Sequence, residues 1–303
     1  MKRIFKTRRF GMGCPAIWTW NQGSAYPRSV RYLNNLWILT CGPAASPNNL
    51  YTATDPTGPW TNQNTPLILD FPELHGSAYG AGKWVVVGLI WGQPALPKIL
   101  TSTDGVTWTE RYCSGGELFA IDRSDNLFVA VGLLDPTVIS SDGITWTTNS
   151  CGMSGLRTII YANGLWVAAG SFGVLGTSLD GITWTIRSSG VSSSINALTY
   201  GDSKYVGCTY DSKIITSPDG ITWTVQTLFP SGFRLNDIAY GNGCFVCAAR
   251  LASTEIVRGY LFTSPDAITW TQLPAIYNHA MNVAGYGNGH WVVDNTEIYT
   301  ATV

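Results

Sequence analysis

Eight residues, SLDGITWT at 178–185, restrict what this chain can fold into more than any other stretch. They recur as STDGVTWT (102–109), SSDGITWT (140–147), SPDGITWT (217–224) and SPDAITWT (264–271), with a looser ATDPTGPWT at 53–61. Repetition at a steady spacing means one small unit stacked on copies of itself and sharing a continuous core. The 303 residues are therefore expected to form one domain, although length alone would suggest two.

A second unit alternates with the first: YLNNLWILTC (32–41), YGAGKWVVVG (79–88), RSDNLFVAVG (123–132), YANGLWVAAG (161–170), YGDSKYVGCT (200–209), YGNGCFVCAA (240–249) and YGNGHWVVDN (286–295). Each reads as a strand end, a Gly/Asn/Asp turn and a second strand rich in aromatic and β-branched residues, the signature of a hairpin. A third strand, such as VLGTS, follows; then comes the S-x-D-G turn and a fourth strand opened by Thr-Trp-Thr. Seven such modules, at periods of about 38–48 residues, predict an all-β, seven-bladed β-propeller of four-stranded antiparallel blades. The last module stops at EIYTATV (297–303), and IWTWNQG (17–23) has the look of its missing outer strand. The N-terminal strand is thus expected to complete the C-terminal blade and close the ring, leaving no free sheet edge at the seam. Residues 14–303 form the propeller in this reading, and residues 1–13 a basic arm.

The net charge is −1, and phosphate binding needs clustered cations, so nucleic acid is not an expected partner. Lys2, Arg3, Lys6, Arg8 and Arg9 nevertheless give the first nine residues +5 and leave −6 for the rest. They are a candidate arm for docking on an acidic partner. No apolar run of signal length follows that arm, and no stretch is long enough to span a membrane, so neither export nor insertion is expected. The seven cysteines (14, 41, 113, 151, 208, 244, 247) lack framework spacing and are read as reduced thiols. Cys244 and Cys247, three apart on a strand, point to opposite faces, so neither a metal nor any other cofactor is expected.

In the S-x-D-G turn the Asp accepts backbone N–H groups, the Gly takes positive φ, and the Trp behind it packs between sheets. The six acids at 55, 104, 142, 180, 219 and 266 are thereby read as scaffold. The turn resembles the Asp-box, or bacterial neuraminidase repeat, S-x-D-x-G-x-T-W, with one residue fewer between Asp and Gly. That family includes sialidases, sortilin-like receptors and photosystem II assembly factors. With its YGNGxWV hairpins the chain looks most like propellers of bacteriophage tail, fibre and other virion proteins. The resemblance implies the fold and carries no catalytic residue across.

Both tight turns of each module belong on one face of the ring, and the loops between strands two and three on the other. Blades 3, 4 and 5 take 23 residues from hairpin start to box Trp, whereas blades 1, 2 and 6 take 28, 29 and 30. The insertions GPAASPNN (42–49), LIWGQPALPK (89–98) and RLASTEIVRGY (250–260), with NQNTPLILDFPEL (62–74), are expected to raise one wall. Trp91, Phe71, Tyr260 and Tyr277 are its candidate stacking aromatics for sugar rings or partner side chains. A second candidate is the ring of Arg28, His75, Phe119, Arg157, Asn196, Asn236 and Asn282, four positions before each hairpin. Six of its seven members are polar, which suits an anion or a carboxylated sugar, or channel water.

Catalysis is not expected. The Arg-Ile-Pro motif of sialidases does not occur, and a glycosidase needs two opposed carboxylates, whereas Glu73, Glu117, Asp135, Asp211 and Glu255 are scattered over several blades. His75, His279 and His290 have no recognisable nucleophile beside them. The expectation is a non-enzymatic binding or structural propeller, made in a host cytoplasm and carried in a bacteriophage virion. There it would recognise a host-surface polysaccharide or another virion protein. The alternative is a cellular carbohydrate-binding or assembly-factor propeller in the cytoplasm.

Overall fold

The computed structural model describes residues 19–23, 26–42, 49–66, 72–90, 96–227, 232–251, 258–274, 281–294 and 297–302. They form an all-β propeller of four-stranded antiparallel blades. Six blades are clear, with inner strands at Pro27–Leu33, Pro72–Gly80, Leu118–Arg123, Leu156–Ala162, Ile195–Gly201 and Phe233–Gly241. A seventh, described only in part, has strands Val283–Gly287, His290–Asp294 and Glu297–Thr302, with Thr19–Gly23 antiparallel to the last. Each inner strand packs on those of the neighbouring blades, and Val283–Gly287 touches the inner strands of blades 6 and 1.

The core lies between blades. Val129 and Val131 of blade 3 pack against Ile159, Trp166 and Ala168 of blade 4, and the other interfaces follow the same plan. Because both faces of a blade are covered, its second strand reads as an unbroken apolar run. Alternate residues serve opposite interfaces: Cys244, Val246 and Ala248 on one, Phe245, Cys247 and Ala249 on the other. Cys41, Cys113, Cys151, Cys208 and Cys247 are buried and outside any disulfide, but Cys244 is disulfide-bonded, so the reduced-thiol expectation does not extend to it.

The repeated Tyr-Gly has a packing cause. A Cβ placed on Gly201 would lie 2.0 Å from Tyr240 Cγ, and one on Gly241 2.0 Å from Tyr286 Cγ. Tyr240, Tyr286 and Tyr32 thus lie on the glycine of the blade before, as Arg123 does on Gly80. The hairpin tyrosines also face the aromatic across their own hairpin, as in Tyr286 with Trp291 and Tyr161 with Trp166, each at 4.9 Å between ring centres. Blade 3 substitutes Arg123, whose guanidinium sits 4.8 Å above the Phe128 ring, a cation–π contact in place of the aromatic pair.

The five boxes share one geometry. In the fourth, Asp180 Oδ1 accepts the N–H groups of Ile182 and Thr183 at 2.8 and 2.7 Å and the Ser178 hydroxyl at 2.9 Å. Those N–H donors hold its carboxyl down at about 2. Box and hairpin turns do share a face: Lys204 Nζ, in the hairpin of blade 5, donates to the Asp266 carbonyl in the box of blade 6 at 3.1 Å. The opposite face carries the loops.

Candidate functional site: the loop-face mouth of the channel

The channel-mouth ring is built by a repeated irregularity. In each of the six clear blades the register between the first two strands slips by one residue: between Pro27 and Ser29, Leu74 and Gly76, Leu118 and Ala120, Leu156 and Thr158, Ile195 and Ala197, and Leu235 and Asp237. The extra residues are Arg28, His75, Phe119, Arg157, Asn196 and Asn236. A bulged residue has no partner in the ladder and its side chain is re-aimed. Six of the seven ring positions singled out by sequence are thus bulge positions. The seventh, Asn282, lies just before the strand Val283–Gly287.

These side chains surround a cavity of about 470 Å³ that runs down the channel. Arg28, His75, Phe119, Arg157 and Asn196 line it, while blades 6 and 7 contribute Asp237 and Ala284 in place of Asn236 and Asn282. The asparagines are clasps. Asn196 Nδ2 donates to the Leu235 carbonyl at 2.7 Å and Asn236 Nδ2 to the Met281 carbonyl at 2.6 Å, each tying its blade to the next. Asn236 also reaches Asn282 Oδ1 at 3.4 Å. Each commits its amide nitrogen to the scaffold.

On the opposite side of the mouth, Glu73 joins two of the predicted residues. Its Oε1 accepts from Arg28 Nη2 at 2.8 Å, and its Oε2 lies 3.2 Å from His75 Nε2. Burial alone would raise the Glu73 carboxyl, but His75 and Arg28 override it and hold it at about 2. Burial pushes the His75 imidazole below its ordinary range, and the Phe119 ring meets it edge-on at 5.1 Å. Arg157 stands apart. It is exposed, its Nε donates to Ser171 Oγ at 3.2 Å, and no carboxylate is within ion-pair distance of it among the described residues.

Deeper in the channel are polar groups that the sequence reading did not single out. Asp122 accepts the Tyr161 N–H at 2.9 Å and Arg31 Nη1 at 3.3 Å; Asp237 accepts the N–H groups of Ile238 and Ala284 at 2.8 and 2.9 Å. Each acid satisfies a backbone donor of the next blade, because inner strands of adjacent blades do not form a ladder with one another. Burial pushes the Asp237 carboxyl up to about 6. The only sequence signal was an acid inside an apolar inner strand.

The wall aromatics divide. Trp91, Phe71 and Tyr277 lie outside the described residues, as do the arm residues Lys2, Arg3, Lys6, Arg8 and Arg9. Tyr260 is described, and the expectation of a stacking surface fails there: it is 9% exposed, with its ring 5.0 Å from Phe233 and edge-on to it. The insertion places it inside a lengthened strand, Gly259–Ser264. Of the off-box acids, Glu73 and Glu117 both act on His75, and the others stand apart from them. Asp135 accepts from Ser150 Oγ and the Cys151 N–H, Asp211 pairs with Lys213, Glu73 is committed as above, and Glu255 and His279 lie outside the described residues.

No family model matches the sequence, and no curated protein matches it. Solved structures do. A structure of YCF48 bound to D1 peptide superposes with a TM-score of 0.72 at 15% identity, over 99% of this chain and 98% of that one. YCF48 from Cyanidioschyzon merolae gives 0.69 at 14% identity, over 94% and 98%. A chain of the Mitotic Checkpoint Complex gives 0.68 at 8% identity, over 98% and 94%. The likeness is one of fold. It extends over almost the whole length of each partner and establishes a β-propeller.

Proposed function

We propose that the chain is a non-enzymatic, seven-bladed propeller, closed by its N-terminal strand, that holds an extended segment of a partner polypeptide on its loop face in the manner of an assembly factor. The observation that carries this reading is the ring of six bulges. It spends irregular backbone in every clear blade to aim side chains at the channel mouth, and two of those side chains are arginines. Pairing of Thr19 and Trp20 with Thr300 and Tyr299 supports closure by the N-terminal strand. The YCF48 structure with a peptide supports a polypeptide ligand over a sugar. A place in a bacteriophage virion rests on the sequence resemblance alone, with the basic arm 1–13 as the attachment, and the comparisons add nothing to it.

The test compares ligand classes. The purified full chain is applied in parallel to an array of random peptides and an array of bacterial envelope polysaccharides and glycans. Saturable peptide binding with blank glycans supports the reading. Glycan binding with blank peptides replaces it with the lectin-like alternative.

A further inference from the structure

The loops of the three minimal blades carry apolar side chains that face solvent. Leu133 and Leu134 in blade 3, Phe172 in blade 4 and Tyr210 in blade 5 are 42%, 58%, 89% and 42% exposed. All four lie between the second and third strands of their blades, on the loop face. Scattered exposed apolar residues are ordinary, but consecutive ones on one face mark an interaction surface.

The backbone beneath them is stitched together. The Leu133 carbonyl accepts the Gly155 N–H at 2.8 Å, the Gly155 carbonyl accepts the Ser171 N–H at 2.8 Å, and the Ser171 hydroxyl receives Arg157 Nε. On the far side of Phe172, the Gly173 carbonyl accepts the Ser189 hydroxyl at 2.6 Å, and the Ser194 carbonyl accepts the Tyr210 N–H at 2.9 Å. The arc is therefore held in shape before anything binds. Phe172 itself sits at φ 57°, ψ 24°, a left-handed conformation that disfavours a side chain of this size. An exposed aromatic kept in such a conformation gains nothing for the fold.

Cations flank the arc. Arg157 stands beside Ser171, and Arg234 lies over the Tyr210 ring with 4.4 Å from guanidinium to ring centre. Neither is paired with a carboxylate among the described residues. Of the described acids nearby, Asp135 is held by Ser150 and Cys151 and Asp211 by Lys213, while Glu117, whose backbone carbonyl accepts the Leu133 N–H at 3.1 Å, acts on His75. Apolar contact area between two unpaired guanidinium groups complements a ligand that brings a bulky apolar side chain next to a negative charge.

We infer that the loop face of blades 3–5 is the docking surface, and that its occupant is a partner polypeptide segment in which a bulky apolar residue adjoins a carboxylate. Phe172 is the apolar anchor, and Arg157 and Arg234 receive the acid. This rests on the reading of the loop face as polypeptide-binding and adds the place and the chemistry.

The experiment selects random ten-residue peptides against the full chain, then measures the selected peptides against the Phe172→Ser and Arg157→Gln variants, with thermal unfolding of each variant as control. The expected result is enrichment of Leu, Phe or Trp next to Asp, Glu or a free C-terminal carboxylate. Affinity falls by about tenfold or more in Phe172→Ser. In Arg157→Gln it falls together with its dependence on salt. Both variants keep the parent's melting temperature. Selected peptides that bind Phe172→Ser as well as the parent would overturn the arc while leaving the polypeptide reading standing. Enrichment without acids would overturn the role of the arginines. Failure to select any peptide would remove the polypeptide reading itself, and self-association abolished by Phe172→Ser would make the arc a contact between copies of this chain.

Discussion

Blades 2 and 6 differ from blades 3–5 in where their extra residues go. In blade 2 the first three strands run nine, eight and seven residues, and pairing between the second and third continues to Ile90 opposite Leu96; in blade 3 the corresponding strands have six, five and four. The insertions lengthen the ladder, so Tyr260 in blade 6 ends as a core residue. In the minimal blades the sheet stops at the bulge. Short loops have no second layer above them, and Leu134 and Phe172 are left in solvent. Residue count between two strands is therefore a poor guide to what a loop exposes.

The largest effect is expected at the glycines opposite the bulges of blades 2, 3 and 4, a position held by Cys41, Thr209 and Ala249 in blades 1, 5 and 6. A Cβ on Gly132 would lie 1.6 Å from the Glu117 carbonyl oxygen, and one on Gly88 2.0 Å from that of Glu73. Backbone cannot yield as a side-chain tip can. Gly132→Ala and Gly88→Ala are each expected to lower unfolding free energy by about 3 kcal/mol in urea titrations. Tolerance of Gly88→Ala alone would mean that the lengthened ladder absorbs the strain and that the bulges of blades 2 and 3 are not one device.

A smaller effect separates the two sides of the mouth. Glu73→Ala is expected to cost about 1 kcal/mol, because it removes the ion pair with Arg28, whose exposed guanidinium then turns to water. Blade 4 has no counterpart, since Arg157 leans only on a serine hydroxyl. The pH dependence follows the same division. Glu73 has a folded value held near 2 against an ordinary 4.5, so its contribution is present above about 4.5 and is lost as pH falls toward 2. His75, depressed by burial, resists protonation in the fold and adds to acid sensitivity. Thermal melts of the parent should therefore fall steeply across that window, and those of Glu73→Gln less so.

Much of this fold was legible because its repeats are physically redundant. The box Asp, the Tyr-Gly pair and the hairpin turn each solve a local problem the same way in blade after blade, so periodicity exposes them. The ring positions were legible for the same reason: a polar residue four places before six of the seven hairpins, with Phe119 as the exception. What periodicity cannot reveal is a residue that occurs once. Asp122 and Asp237 satisfy donors of a neighbouring strand at different offsets in their own strands, and Phe172 sits in a loop short enough to look structural. Reading loop length as exposure misplaced Tyr260 for the complementary reason.

The finest discrimination uses two left-handed residues that are not glycine. Ala267 stands at φ 59° in the SPDAITWT box, where the other four boxes have glycine, and Phe172 at φ 57° in the short loop of blade 4. Glycine at either site removes a Cβ from a conformation that penalises it, so Ala267→Gly and Phe172→Gly are each expected to raise stability by up to about 1 kcal/mol. The strain at Ala267 belongs to the scaffold, and its relief should leave peptide binding unchanged. At Phe172 the same backbone relief also removes the anchor, and the more stable protein should be the weaker binder. A Phe172→Gly chain that gains stability and keeps its affinity would show that the strained loop serves neither fold nor ligand.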